Sequence, residues 1–181
     1  MDSGHVSVDW GEYIAFHPGV TQPLDEVPKR VAKEAFERLM SAKADRIEIL
    51  RLLLAANGVR LTGDDAGLQS LNDWFRAEVR GDLVSGRLEP IWYGVVNDMS
   101  LFLGEVIIER APGLRWVMFD KVKRSSAYQR HVIMGFSKAT NPTYLIDIDL
   151  LLAQYGQDVV SKQGVDESAF ITWVQWALEW A

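Results

Sequence analysis

The sequence contains no cysteine among its 181 residues. This absence excludes disulfide frameworks, thiolate zinc sites, iron–sulfur clusters and cysteine nucleophiles. Histidine is also scarce, with three residues, and no Glu-x-x-His pair occurs. Phosphate-binding loops, dinucleotide fingerprints, nucleophile elbows and HExxH motifs are missing too, which disfavours kinases, P-loop proteins, hydrolases and zinc peptidases. We therefore expect no metal and no cofactor.

Signal-peptide and membrane-span patterns are also lacking. No Lys or Arg precedes Lys29, and no stretch reaches about 18 uncharged apolar residues. The composition, 48% hydrophobic and 24% charged, is that of an ordinary globular chain. We expect a soluble cytoplasmic protein that has no membrane partner.

Charge is unevenly distributed along the chain. Residues 1–28 hold five acids and no bases, residues 111–140 hold one acid and six bases, and residues 141–181 hold six acids and one base. The basic segment favours an acidic partner if it stays exposed. A solvated surface, or pairing with the acidic segments within the fold, explains it better, and the net charge of −6 argues against nucleic-acid binding.

The pattern of turns and apolar residues predicts an irregular N-terminal arm over residues 1–24 and one α+β domain over 25–181. We expect about six helices around a small three-stranded antiparallel sheet. Two helices are predicted in the first part of the domain, one from Pro28 to about Lys43 and one that begins at Asp45. The predicted strands are Leu114–Asp120, Gln129–Ser137 and Tyr144–Ile148.

The helix predicted over Pro90–Arg110 is the most apolar segment of the chain. Polar residues interrupt its apolar pattern at ordered positions. Asp98 and Glu105 fall seven residues apart, which places both carboxylates on one edge of the helix. A structural interpretation gives them a solvated edge or arginine partners. The functional alternative is a ligand-binding or acid–base site formed by Asp98, Glu105 and His131, between this helix and the sheet.

The run WYGVVNDMSLFLGEVIIERAPGLRW, from Trp92 to Trp116, resembles a signature of small uncharacterised bacterial proteins. In that signature an aliphatic-Gly-Glu-aliphatic step ends a helix and a Trp-bearing strand follows a tight break, and Gly104, Glu105 and Trp116 match it. The similarity extends from about Leu68 to Tyr155. It implies no particular activity, but some such proteins are similar to immunity partners of bacterial toxins.

Two further hypotheses concern partners. The lack of catalytic motifs and the acidic termini favour a non-enzymatic interaction module, in its sharpest form an immunity-type inhibitor of a toxin. The predicted last helix carries Trp173, Trp176 and Trp180 and has no Lys or Arg. This composition is typical of a helix packed on its own domain or across a homodimer, and not of a membrane-surface helix.

Overall fold

A computed structural model describes residues 7–181. Over this range the chain forms five helices and two strands, so the α+β class is confirmed, whereas six helices and three strands are not. The elements in chain order are α1 (Lys29–Ala56), α2 (Asp65–Glu78), α3 (Pro90–Arg110), β1 (Arg115–Met118), β2 (His131–Met134), α4 (Ile148–Val160) and α5 (Ala169–Trp180).

The two helices predicted before residue 57 are one continuous helix, α1, of 28 residues. The segment around Lys43 contains no Gly or Pro to break it, and its Ala and Lys residues are good helix formers. The buried stripe of α1 runs from Leu39 through Arg46 to Leu53, at seven-residue spacing. A buried arginine occupies one position of this stripe. The apolar pattern of the sequence is therefore interrupted there, although the helix itself is continuous.

α3 begins and ends where the sequence predicts and is the centre of the core. It packs against α1, α4 and α5. α3 is long and apolar enough to cross a membrane, but 67% of its most apolar window is buried inside the protein. Burial in the core therefore accounts for the apolar composition of this helix.

The sheet is an antiparallel pair in which Trp116 lies opposite Ile133 and Met118 lies opposite His131. These four side chains share one face because side chains alternate along a strand. That face meets α3: a Cβ atom added at Gly104 would lie 2.0 Å from the Trp116 ring.

The third predicted strand is reduced to one bridge. Ile146 exchanges two backbone hydrogen bonds with Ile133. Asp147 then accepts a hydrogen bond from the backbone N–H of Leu150 and caps α4. The helix cap turns the chain away from the sheet before a longer ladder can form.

Residues 7–28 contain no helix or strand and lie across the domain; residues 1–6 of the predicted arm are outside the described range. The Trp10 ring contacts the Trp92 ring of α3 at 5.3 Å between centroids. Near residue 15 the arm reaches the backbone of α3, where a Cβ at Gly94 would lie 2.5 Å from that of Ala15. Glycine at this position is what allows the close approach.

Candidate functional site

A cavity of about 360 Å³ lies between the arm, α1, α3 and the start of β2. Tyr93, one of its lining residues, is 44% exposed, so the cavity extends to the protein surface. Most of its wall is apolar. Side chains that line this part include Ala15 and Phe16 of the arm, Ala35, Phe36 and Leu39 of α1, and Val96 of α3.

Two polar atoms on the same wall are buried and unpaired. Within residues 7–181, neither His131 Nε2 nor Asn97 Oδ1 has a hydrogen-bond partner, and both residues line the cavity. A buried polar atom without a partner is costly, and such atoms are rare in folded proteins. The cavity is therefore lined by an apolar wall and by two residues that each carry a buried polar atom without a hydrogen-bond partner.

His131 is held in its position by the sheet and by aromatic packing. It is the first residue of β2, and its ring lies 5.9 Å from the Trp116 ring. Burial lowers the pKa of His131, and the charge of Arg130 lowers it further, while the carboxylates of Asp149 and Asp147 act in the opposite direction. The imidazole is therefore neutral at pH 7.

Arg130, which precedes β2, links the cavity wall to the start of α4. Its guanidinium donates to Asp147 at 2.6 Å and to Asp149 at 2.8 Å. Burial alone would lower the pKa of Arg130, but the bonds and charges of the two aspartates outweigh it and raise that pKa. Arg130 and Asp149 both line the cavity, so each charge there already faces an opposite charge.

Asp98 lies next to Asn97 in sequence but belongs to a different structure. Its fully buried carboxylate accepts bonds from Arg46 Nε at 2.9 Å, from Arg46 Nη2 at 2.5 Å and from the Tyr13 hydroxyl at 2.7 Å. Burial raises the pKa of Asp98, and the three donated bonds oppose this rise. Arg46 also donates to the backbone carbonyl of Ile14. We call this group, Tyr13, Arg46 and Asp98, the arm clamp.

Glu105 lies on the same edge of α3 as Asp98, and it also faces α1. Its carboxylate accepts a bond from Trp116 Nε1 at 2.8 Å and forms an ion pair with Lys43 at 2.6 Å. Neither Asp98 nor Glu105 lines the cavity, whereas His131 does. The structure thus separates the three residues that the sequence groups together.

Asn97 is one of the polar cavity residues that the sequence does not predict as part of a site. A polar residue within an apolar helix is a signal for a functional role. The carboxylates on the neighbouring edge, however, indicate a different site. The arm residues were also missed, since nothing in an irregular segment shows which surface it covers. Among residues 7–181 no group of His, Asp and Glu is arranged to hold a metal ion.

Comparison with known proteins adds no relative. No protein-family model matches the chain, and no curated protein or solved structure is significantly similar to it. The resemblance to small bacterial proteins therefore stays a prediction, and function has to be argued from the cavity.

The arm clamp predicts a large effect for Asp98→Asn. Removing this charge leaves the buried Arg46 guanidinium without its counter-ion, which costs about 3–5 kcal/mol in comparable buried pairs. Urea denaturation followed by tryptophan fluorescence measures the change. The matched control is Glu48→Gln, which breaks an exposed pair with Arg51 on α1 and is expected to leave the denaturation midpoint unchanged. Equal midpoints for the two variants would contradict a structural role for Asp98.

The lowered pKa of His131 predicts a pH dependence of stability. In the unfolded chain the imidazole takes up a proton near pH ~6.5, and in the folded protein only at lower pH. Below this value the unfolded state binds more protons, so the free energy of unfolding falls as the pH falls. Wild type is expected to lose more stability than His131→Gln between about pH 7.5 and about pH 5.5. Parallel curves from urea titrations would refute the assignment.

Proposed function

We propose that this protein binds a small, mainly apolar molecule in the cavity between the arm and α3. The observation that carries the proposal is the pair of unpartnered atoms, His131 Nε2 and Asn97 Oδ1, on the wall of an apolar cavity of about 360 Å³. Ligand sites typically have such walls, with few polar groups and volumes from about 300 Å³ upward. A ligand that bonded these atoms would remove the cost of burying them.

Binding is a better-supported role than catalysis. The described lining of the cavity contains no Ser, Thr or Lys to act as a nucleophile. Its carboxylate, Asp149, is already paired with Arg130, which leaves it poorly placed to activate His131. We accordingly propose a binding function, and a location in the bacterial cytoplasm stays a prediction.

Filling the cavity tests this proposal. The neutral fluorescent probe 1-naphthylamine, a bicyclic compound, is expected to bind wild type at one saturable site. Ala35→Phe, whose new ring enters the cavity, is expected to weaken binding by about tenfold or more, equivalent to about 1.4 kcal/mol. Ala55→Phe is the control, because Ala55 lies on the same helix but outside the cavity. Equal probe binding by both variants, each folded by circular dichroism, would refute the site.

An acidic protein partner is a second candidate. Val122, Leu150 and Trp176, which are 45%, 40% and 39% exposed, line a shallow groove between the loop after β1 and α5. Exposed apolar groups of this size often mark interaction sites. Lys123 and Arg124, beside Val122, form no salt bridge within residues 7–181, so their charge favours an acidic partner over the basic effector suggested by the acidic termini.

Charge reversal tests the second candidate. Lys123→Glu combined with Arg124→Glu is expected to abolish capture of an acidic protein that wild type retains, whereas Lys162→Glu, outside the groove, retains it. If the double variant captured the acidic protein as well as wild type does, the groove would be excluded as the binding site. Light scattering of the purified chain separates this outcome from a homodimer through the Trp-bearing α5. An immunity-type role toward a toxin stays a prediction.

A further inference from the structure

The chemistry of the cavity wall narrows the class of ligand, provided that the proposed binding function holds. Asn97 Oδ1 accepts hydrogen bonds, and the Nε2 of a neutral His131 also accepts one in the tautomer that carries its proton on Nδ1. The side-chain amide of Gln129, which also lines the cavity, already donates to the carbonyl groups of Leu24 and Val27. In that tautomer, the two buried unpartnered atoms on this wall both require a donor.

The charges on the wall disfavour an anionic ligand. Arg130 is the cation of the cavity lining, and it already serves two carboxylates, Asp147 and Asp149. A carboxylate or phosphate on the ligand would meet an arginine without spare charge and would be repelled by Asp149. A cationic ligand would lose its hydration on entering the apolar cavity, and its best counter-ion, Asp149, is shared with Arg130.

The size of the cavity limits the size of the ligand. An apolar cavity of about 150 Å³ holds one benzene molecule. By proportion, the cavity of about 360 Å³ holds a molecule of up to roughly 14 non-hydrogen atoms. A bicyclic aromatic compound has this size.

We propose that the cavity selects a neutral, mainly apolar molecule of this size whose single polar group donates a hydrogen bond to His131 Nε2 or Asn97 Oδ1. Phenols, indoles and alcohols belong to this class. Their apolar part packs against the side chains from the arm and α1, such as Phe16, Phe36 and Leu39. The proposal assigns His131 the neutral tautomer that is protonated on Nδ1, in which Nε2 accepts the bond.

A set of naphthalenes of nearly equal size tests the proposal by calorimetry on the full chain at neutral pH. 2-Naphthol is a neutral donor, 2-methylnaphthalene has no polar group, 2-methoxynaphthalene accepts only, 2-naphthoate is an anion and 2-(aminomethyl)naphthalene is a cation. We expect 2-naphthol to bind about tenfold more tightly than 2-methylnaphthalene, the increment typical of one hydrogen bond. The other three compounds are expected to bind no more tightly than 2-methylnaphthalene.

Two variants locate the preference. His131→Phe and Asn97→Leu remove one acceptor each, and at least one of them is expected to reduce the preference for 2-naphthol while 2-methylnaphthalene still binds. Gln175→Leu, an exposed polar-to-apolar change on α5, is expected to retain it. Binding of all five compounds without preference, or a preference for the anion or the cation, would overturn this inference and leave the binding function in place. Failure of every compound to bind would overturn both.

Discussion

The buried ion pair between Arg46 and Asp98 is the interaction on which the rest of the structure depends. It joins the middle of α1 to the middle of α3, and through Tyr13 and the carbonyl of Ile14 it also fixes the arm to both helices. Taking two charges out of water is unfavourable, and only a nearly complete set of hydrogen bonds offsets that cost. The arm supplies part of this set. An irregular segment is thereby held in one position, and one wall of the cavity is formed by that segment.

Prediction from the sequence succeeds for the bounds of α3 and fails for the continuity of α1. The bounds of α3 are readable because Pro90 begins the helix and Pro112 follows its end, with an apolar run between them. The continuity of α1 is not readable, since its buried stripe contains Arg46, whose partner lies 52 residues away. A residue that is buried only because of a distant counter-ion looks like a surface residue in a single sequence. The burial of Asp98 is equally hard to predict, because its partner Arg46 is distant in the sequence.

Local contacts explain the residues that suggested a family resemblance. Gly104 leaves room for the Trp116 ring, and Glu105, the next residue, accepts the hydrogen bond of that ring's N–H. The Gly-Glu step and the tryptophan are thus one packing unit between α3 and β1. This unit also explains why the Trp-bearing face of the sheet meets α3, a choice that alternation along a strand leaves open. His131 lies on this face, and its orientation follows from the same contact.

The aromatic core and the wall of the cavity both contain buried polar atoms without a hydrogen-bond partner. The indole N–H groups of Trp74 and Trp92 are also buried without a partner within residues 7–181. Their rings pack against each other at 5.7 Å in the aromatic core, and neither residue lines the cavity. His131 and Asn97 instead line a cavity beside an exposed tyrosine. Since a polar group of a ligand is able to reach this wall, a bound molecule is the simplest partner for its two unpaired atoms.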